Sequence, residues 1–151
     1  MLFRSSLLEV LPAVSLEMWE EATRLISSEQ LSRFLVRYGA GTVAVLQAIL
    51  QDKALTAPLC PHHPYLAAEA VSAIQHEQAC TMTDFLLRRT HMSWSRCQAL
   101  ESLDLLEDLF QRYGGLTPHQ TAQQRSQYQQ TIAQGLEFRE TRTASTSYVS
   151  R

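Results

Sequence analysis

Hydrophobic and polar positions alternate along most of this chain with the spacing of amphipathic helices. The first stripe follows Ser15, a candidate N-cap residue, and its apolar residues recur every three or four positions. Its members are Leu16, Trp19, Ala22, Leu25 and Ile26. A second stripe follows Ser27, which is predicted to form a capping box with Gln30. That helix is expected to end at Tyr38-Gly39, because glycine readily adopts the left-handed backbone of a helix C-terminus.

The middle of the chain combines two further helices with a connection rich in proline. A third helix is predicted over about residues 42–52 from its apolar spacing. Residues 53–64 contain three prolines, which lack an amide donor and therefore exclude a regular helix there. The fourth helix is predicted over about residues 65–79.

Three more helices are predicted in the last part of the chain. A short helix over residues 81–89 starts with a capping box formed by Thr81 and Asp84. A long amphipathic helix covers about residues 97–113, where two glycines end it. The last helix starts after Thr117, followed by proline at the first helical position, and reaches about Gln134.

These elements predict an all-α fold, a compact bundle of six or seven helices with a disordered C-terminal tail. Residues 1–14 are interpreted as an extended lead-in and residues 15–135 as one helical domain. Residues 136–151 are polar and aperiodic, so we expect a flexible tail there. No run of alternating β-branched residues indicates a strand.

Composition narrows the classes of function. The chain has 151 residues, 45% hydrophobic content and a net charge of -2, which is typical of a soluble globular domain and unlike a nucleic-acid-binding protein. Its three cysteines have no paired spacing, which favours free thiols in the cytoplasm. No stretch has the length and apolarity that we expect of a transmembrane segment.

Two motifs raise the question of a bound cofactor or metal. Residues 39–44, Gly-Ala-Gly-Thr-Val-Ala, match a short dinucleotide-binding fingerprint, but without a second strand they are better explained by a corner between two helices. Cys60, His62 and His63 lie close together, and His76 and Cys80 stand four residues apart on a predicted helix. Zinc binding and ordinary structural roles are both open for these residues. The ligand spacing is not a recognised one, so we expect no metal.

Five charged residues suggest an electrostatic cluster. They are Glu69, Glu77, Asp84, Arg88 and Arg89. Paired carboxylates can act as a general acid and base, but here the acids and arginines are placed to cap helices and to face each other across a tight turn. We predict a partly buried structural ion-pair cluster, with no catalytic, cofactor-binding or metal-binding residue. Tyr38 and Gly39 are predicted to form a helix corner.

The order of these motifs resembles a known domain. The relevant segments are Tyr38-Gly39, Pro64 to Glu69, Glu77-Gln78-Ala79, Asp84 to Thr90, and finally Gly115, Thr117 and Tyr128. In this order they are similar to the C-terminal helical cap domain of FAD-dependent glycerol-3-phosphate dehydrogenases, which also occurs in alpha-glycerophosphate oxidases.

The resemblance implies an accessory domain whose flavin-binding and catalytic half is absent from these residues. It implies that FAD belongs to a partner flavoprotein subunit and that this chain packs against that subunit or self-associates. The location would be cytoplasmic, peripheral to a membrane only through the partner. The alternative is a repurposed interaction module that uses the acidic face of the long helix, formed by Glu101, Asp104, Glu107 and Asp108. Independent catalysis is the least favoured of the three hypotheses.

Overall fold

The computed structural model describes the backbone of residues 15–146 and the side chains of residues 15–135. The lead-in predicted for residues 1–14 and the end of the predicted tail, residues 147–151, lie outside the described residues. The chain divides into two compact units, Met1–Gln78 and Ala79–Arg151.

Four helices and one short hairpin make up the described part of the first unit. They are α1 (Leu16–Leu25), α2 (Ser28–Tyr38), α3 (Thr42–Gln51), β1 (Pro58–Cys60), β2 (His63–Leu66) and α4 (Ala67–His76). Single 3-10 turns at Gly39–Gly41 and Lys53–Thr56 connect α2 to α3 and α3 to the hairpin.

Both predicted N-caps of the first unit are confirmed. The Ser15 hydroxyl accepts from the amide of Met18 at 3.2 Å, and the Ser27 hydroxyl accepts from the amide of Gln30 at 3.2 Å. The capping box predicted for Ser27 is half correct. The Gln30 side chain does not return to the N-cap amide; it donates to the carbonyl of Pro64 at 3.1 Å. The Gln30 Oε1 atom, which the capping box would use as its acceptor, instead accepts from Nε of Arg33 at 3.1 Å in the same helix.

The corner between α2 and α3 depends on Gly39. This residue has φ 51° and ψ -122°, a combination typical of the first central position of a type II′ turn and strained for any residue with a Cβ. The Thr42 hydroxyl then donates to the carbonyl of Phe34 at 3.0 Å and ties the two helices together. Phe34 to Val36 are helical, so the apparent dinucleotide fingerprint has no strand before it and is a helix corner, as predicted.

The proline-rich connection forms the antiparallel hairpin of β1 and β2, which the sequence did not predict. Pro58 lies opposite Leu66, and Cys60 lies opposite His63. A two-stranded hairpin accommodates proline because each strand keeps a free edge. Tyr65 and Leu66, which were predicted to begin the fourth helix, belong to β2. Helix α4 covers Ala67–His76 and is therefore shorter at both ends than the expected residues 65–79.

The core of the first unit is centred on α4. Every residue from Ala67 to Ala73 is buried, most of them alanine, which allows neighbouring backbones to approach closely. Helix α3 packs against α4 and contributes Val45, Leu46 and Ile49. Contrary to the expectation from the sequence, the stretch Ser28–Gln51 is long and apolar enough, by length and composition alone, to span a membrane. The helix is interrupted at Gly39, and five residues of its α3 portion are buried in the first unit.

The second unit is built from one irregular helical segment and two longer helices. Helix α5 (Met82–Asp84) continues as a π-helical turn (Phe85–Arg89), and 3-10 turns follow at Met92–Trp94 and Leu100–Ser102. The longer helices are α6 (Leu103–Gly114) and α7 (Pro118–Thr146). Their buried apolar residues, together with those of α5 and its π-helical turn, are Met82, Phe85, Leu86, Leu103, Leu106, Leu109, Phe110 and Tyr128.

Capping in the second unit is confirmed at Thr117 and in part at Thr81, where the described residues lack the return bond of the predicted box, from the Thr81 amide to the Asp84 side chain. The Thr81 hydroxyl accepts from the amide of Asp84 at 3.0 Å. Thr117 and Gln120 form a complete capping box, with amide-to-side-chain bonds of 3.2 and 2.8 Å. Gly115 ends α6 in the left-handed conformation, with φ 68°.

Two helix boundaries differ from the prediction. The long helix begins at Leu103 rather than near residue 97, because Gln98 and Ala99 adopt left-handed backbone angles that no α-helix contains. Helix α7 continues past the expected end near Gln134 to Thr146. The all-α fold class is confirmed, since six helices of ten or more residues occur among the described residues and the hairpin is small.

Candidate functional site

The densest polar cluster of the first unit surrounds the carboxylate of Glu69. Its side chain is fully buried in the first turn of α4. Arg33 donates to both carboxylate oxygens, at 3.0 and 2.5 Å. The Tyr38 hydroxyl donates at 2.6 Å, and the amide of Leu66 donates at 2.7 Å. A carboxylate offers about four lone-pair positions, so these four hydrogen bonds occupy all of them.

This arrangement connects three elements at one point. Arg33 and Tyr38 belong to α2, Leu66 ends β2, and Glu69 lies in α4. The Leu66 bond is the half of a capping box in which a glutamate returns to the N-cap amide, and the helix dipole favours an acid at this position. The cluster therefore fixes the hairpin and two helices relative to each other.

The arginines of α2 are supported by aromatic rings. The guanidinium of Arg33 lies 5.0 Å from the ring centre of Phe34 and 5.2 Å from that of Tyr65. The guanidinium of Arg37 lies 4.9 Å from the same Tyr65 ring, and its Nε donates to the Tyr38 hydroxyl at 3.1 Å. Cation–π contacts of this kind offset part of the desolvation of a half-buried arginine.

Burial raises the pKa of the Tyr38 phenol well above its usual value of 10.0, and the negative charge and hydrogen bond of Glu69 raise it further. The phenol therefore remains neutral and remains a hydrogen-bond donor. With its lone pairs occupied and its side chain inaccessible, Glu69 is arranged to stabilise the fold rather than to accept a proton from a substrate.

The structure places the predicted cluster residues as follows. Glu77 directly follows α4, Asp84 ends α5, and Arg88 and Arg89 lie in the π-helical turn. Asp84 pairs with Arg88 one turn away at 3.5 Å, and the Arg88 side chain is 79% exposed. The grouping of all five residues in one cluster stays a prediction. Arg33, the main partner of Glu69, was missed.

A partial signal for Arg33 was present in the sequence. Arg33 directly precedes the apolar stripe residue Phe34, and Glu69 lies in an alanine-rich helix. Charged residues in such positions are rarely buried unless they are paired. Their separation of 36 residues gives no local indication of which partner each one takes.

Two other candidate sites are changed by the structure. His76 is the last residue of α4, and Gln78 has a φ of 53°. Cys80 therefore lies outside the helix, and the prediction that His76 and Cys80 share one helix is wrong. Arg125 of α7 pairs with Asp104 and Glu107 of α6 at 2.6 and 2.9 Å. Arg112 pairs with Asp108 at 2.5 Å. These two arginines offset two of the four negative charges of the acidic face, which weakens its interpretation as a contact surface.

The fold defines an all-α domain in which the buried Glu69 carboxylate is occupied by groups of the same chain. The comparison with known protein families gives the particular class. Residues 9–121 match the family described as the C-terminal domain of alpha-glycerophosphate oxidase. The match covers more than half of the chain, so the chain belongs to this family. No curated protein and no solved structure matches the chain.

Proposed function

We propose that this chain is an accessory domain that packs against an FAD-dependent flavoprotein body that oxidises glycerol 3-phosphate. The body holds the flavin and the catalytic groups, and this chain contributes packing and association. Family membership supports the accessory role and the glycerophosphate class of enzyme. The cysteines of the described residues form no disulfide, which agrees with a cytoplasmic location for the complex.

The occupation of the Glu69 carboxylate carries this proposal. A catalytic base must reach the proton that it removes, directly or through one water molecule. The Glu69 carboxylate instead accepts hydrogen bonds from Arg33, Tyr38 and the amide of Leu66. The buried carboxylate thus joins α2, β2 and α4, and a packing domain requires helices that are held in fixed positions.

A binding experiment tests the proposal. The chain is mixed with the FAD-loaded body of an alpha-glycerophosphate oxidase from which its own C-terminal domain has been removed. Analytical ultracentrifugation is expected to show a complex, and the body is expected to gain thermal stability and rate of glycerol 3-phosphate oxidation, because a bound partner stabilises the folded state.

Matched variants make the result specific. Glu69→Gln should weaken the complex because it disturbs the helical surface, while Asp84→Asn, which removes an ion pair with the largely exposed Arg88, should leave binding unchanged. Separate sedimentation of the chain and the body, with no change in the melting temperature of the body, would contradict the proposal. A homodimer of the chain that excludes the body would point to self-association instead.

A further inference from the structure

The second unit contains an open groove that is independent of the Glu69 cluster. Its volume is about 470 Å³, within the range of roughly 300–1,000 Å³ that is typical of small-molecule sites. Apolar side chains of Leu87, Trp94 and Ile132 line it, and Trp94 is 66% exposed. An exposed tryptophan beside an open apolar groove offers a large surface for stacking or apolar contact.

The polar groups of the groove favour an anion. The hydroxyls of three lining residues already donate to backbone carbonyls, so they are not free donors; these residues are Ser93, Ser95 and Thr131. The carboxamide of Gln98 makes no hydrogen bond to any described residue. Arg88, also in the lining, has one ion pair within the described part of the chain, the long 3.5 Å contact with Asp84. A guanidinium and an amide are the donors that remain available, and both suit an acidic group.

The wall that carries Gln98 is held in an unusual conformation. Gln98 and the next residue, Ala99, have φ angles of 50° and 56°, which are unfavourable for residues with a Cβ. The buried Tyr128 hydroxyl donates to the carbonyl of Gln98 at 2.5 Å and fixes this backbone. Strained backbone that is held by its surroundings is concentrated at ligand sites, and a fixed wall reduces the entropy lost on binding.

We propose that this groove binds a small amphiphilic anion, an aromatic or short acyl body with one acidic group. The apolar body lies against Trp94, Leu87 and Ile132, and the acidic group receives hydrogen bonds from Arg88 and Gln98. The proposal does not depend on a flavoprotein partner, so the two proposals can fail separately.

Gly135 provides a way to block the groove without disturbing the fold. It lines the groove in α7, and a Cβ added there would meet no atom within 4 Å. Gly135→Leu therefore fills the groove and replaces a poor helix former with a good one. Gly135→Ala is the matched control, because it makes the same backbone change and adds only one methyl group.

Isothermal titration with two probes tests the proposal on the full chain. The anion 1-anilinonaphthalene-8-sulfonate and its uncharged relative N-phenyl-1-naphthylamine have similar apolar bodies. We expect one binding site for each in the native chain and in Gly135→Ala, and a loss of affinity of about tenfold or more in Gly135→Leu, since the leucine occupies the space of the ligand.

The charge of the groove is tested with Arg88→Gln. Loss of the guanidinium should lower the affinity for the sulfonate probe by about tenfold at low salt and leave the affinity for the uncharged probe unchanged. In a Trp19→Phe background Trp94 is the sole tryptophan, and its fluorescence should be quenched by the bound probe. Equal binding to Gly135→Leu and Gly135→Ala would overturn the groove as the site. Equal effects of Arg88→Gln on both probes would overturn the preference for an anion.

Discussion

Replacement of Glu69 by glutamine tests whether the buried carboxylate holds the first unit together. Glutamine has nearly the same shape but carries a single acceptor oxygen and an NH₂ group that donates. Four donors now point at this position, from Arg33, Tyr38 and the amide of Leu66. The glutamine oxygen can accept from two of them, so two donors lose their acceptor and face another donor.

The expected cost follows from these contacts. A hydrogen bond to a charged group contributes about 1.5–3 kcal/mol, so two lost bonds set a range of about 3–6 kcal/mol. The Arg33 side chain is 22% exposed, so water can accept part of the hydrogen bonding that the guanidinium loses with the carboxylate. We therefore expect the free energy of unfolding to fall by about 3–4 kcal/mol, near the lower end for a broken buried ion pair. For a chain of this size that corresponds to a decrease in melting temperature of about 6–16 °C.

Urea denaturation followed by tryptophan fluorescence measures this change. Trp19 lies in α1, so a Trp94→Phe background makes the signal specific for the first unit. Asp84→Asn is the control, because its partner Arg88 has a largely exposed side chain and such pairs contribute less than about 1 kcal/mol. A loss below about 1 kcal/mol in Glu69→Gln, or an equal loss in both variants, would refute the reasoning.

Three further predictions concern the turns and the buried phenol. Gly39→Ala should destabilise the first unit by about 1–3 kcal/mol in urea denaturation because of its φ of 51°, and an unchanged midpoint would contradict the strain. Thr117→Ala should lower stability by about 1 kcal/mol through loss of the N-cap of α7, whereas Thr117→Ser should restore most of it. The pKa of Tyr38 is higher in the folded state than its ordinary value of 10.0, so folding favours the neutral phenol. The contribution of this phenol to the free energy of unfolding is therefore fully present below pH 10 and is lost as the pH rises further. Unfolding measured between pH 10 and pH 12 should therefore show a smaller pH slope in Tyr38→Phe, and identical slopes would argue against a protected phenol.

Local chemistry made the helix starts predictable. Ser15, Ser27, Thr81 and Thr117 all act as N-caps, because a cap bond joins a residue to an amide only three positions away. The same locality explains the partial failure at Ser27. The second bond of a capping box competes with other donors, and Nε of Arg33 occupies the Gln30 Oε1 atom that the box would have used.

Features that depend on distant parts of the chain were not predictable in the same way. The hairpin of β1 and β2 lies in a segment whose prolines argue against strands, and only the free edges of a two-stranded sheet make proline acceptable there. The early end of α4 and the late start of α6 depend on left-handed backbone at Gln78, Gln98 and Ala99, none of which is glycine. For Gln98, the Tyr128 hydroxyl supplies a buried contact that holds its carbonyl in this conformation.

The hydrogen-bonding state of each polar group indicates where this domain can interact with other molecules. Glu69 cannot accept a further hydrogen bond without losing one that it already has, so a ligand there would have to replace a contact of the fold. Within residues 15–135 the Gln98 carboxamide makes no hydrogen bond, and Arg88 has the long 3.5 Å contact with Asp84. A ligand that binds these two groups displaces mainly water, and apolar contact with Trp94 adds to the gain. Recognition by the second unit is therefore expected at the groove, whereas mutation of the Glu69 cluster should affect function only through stability.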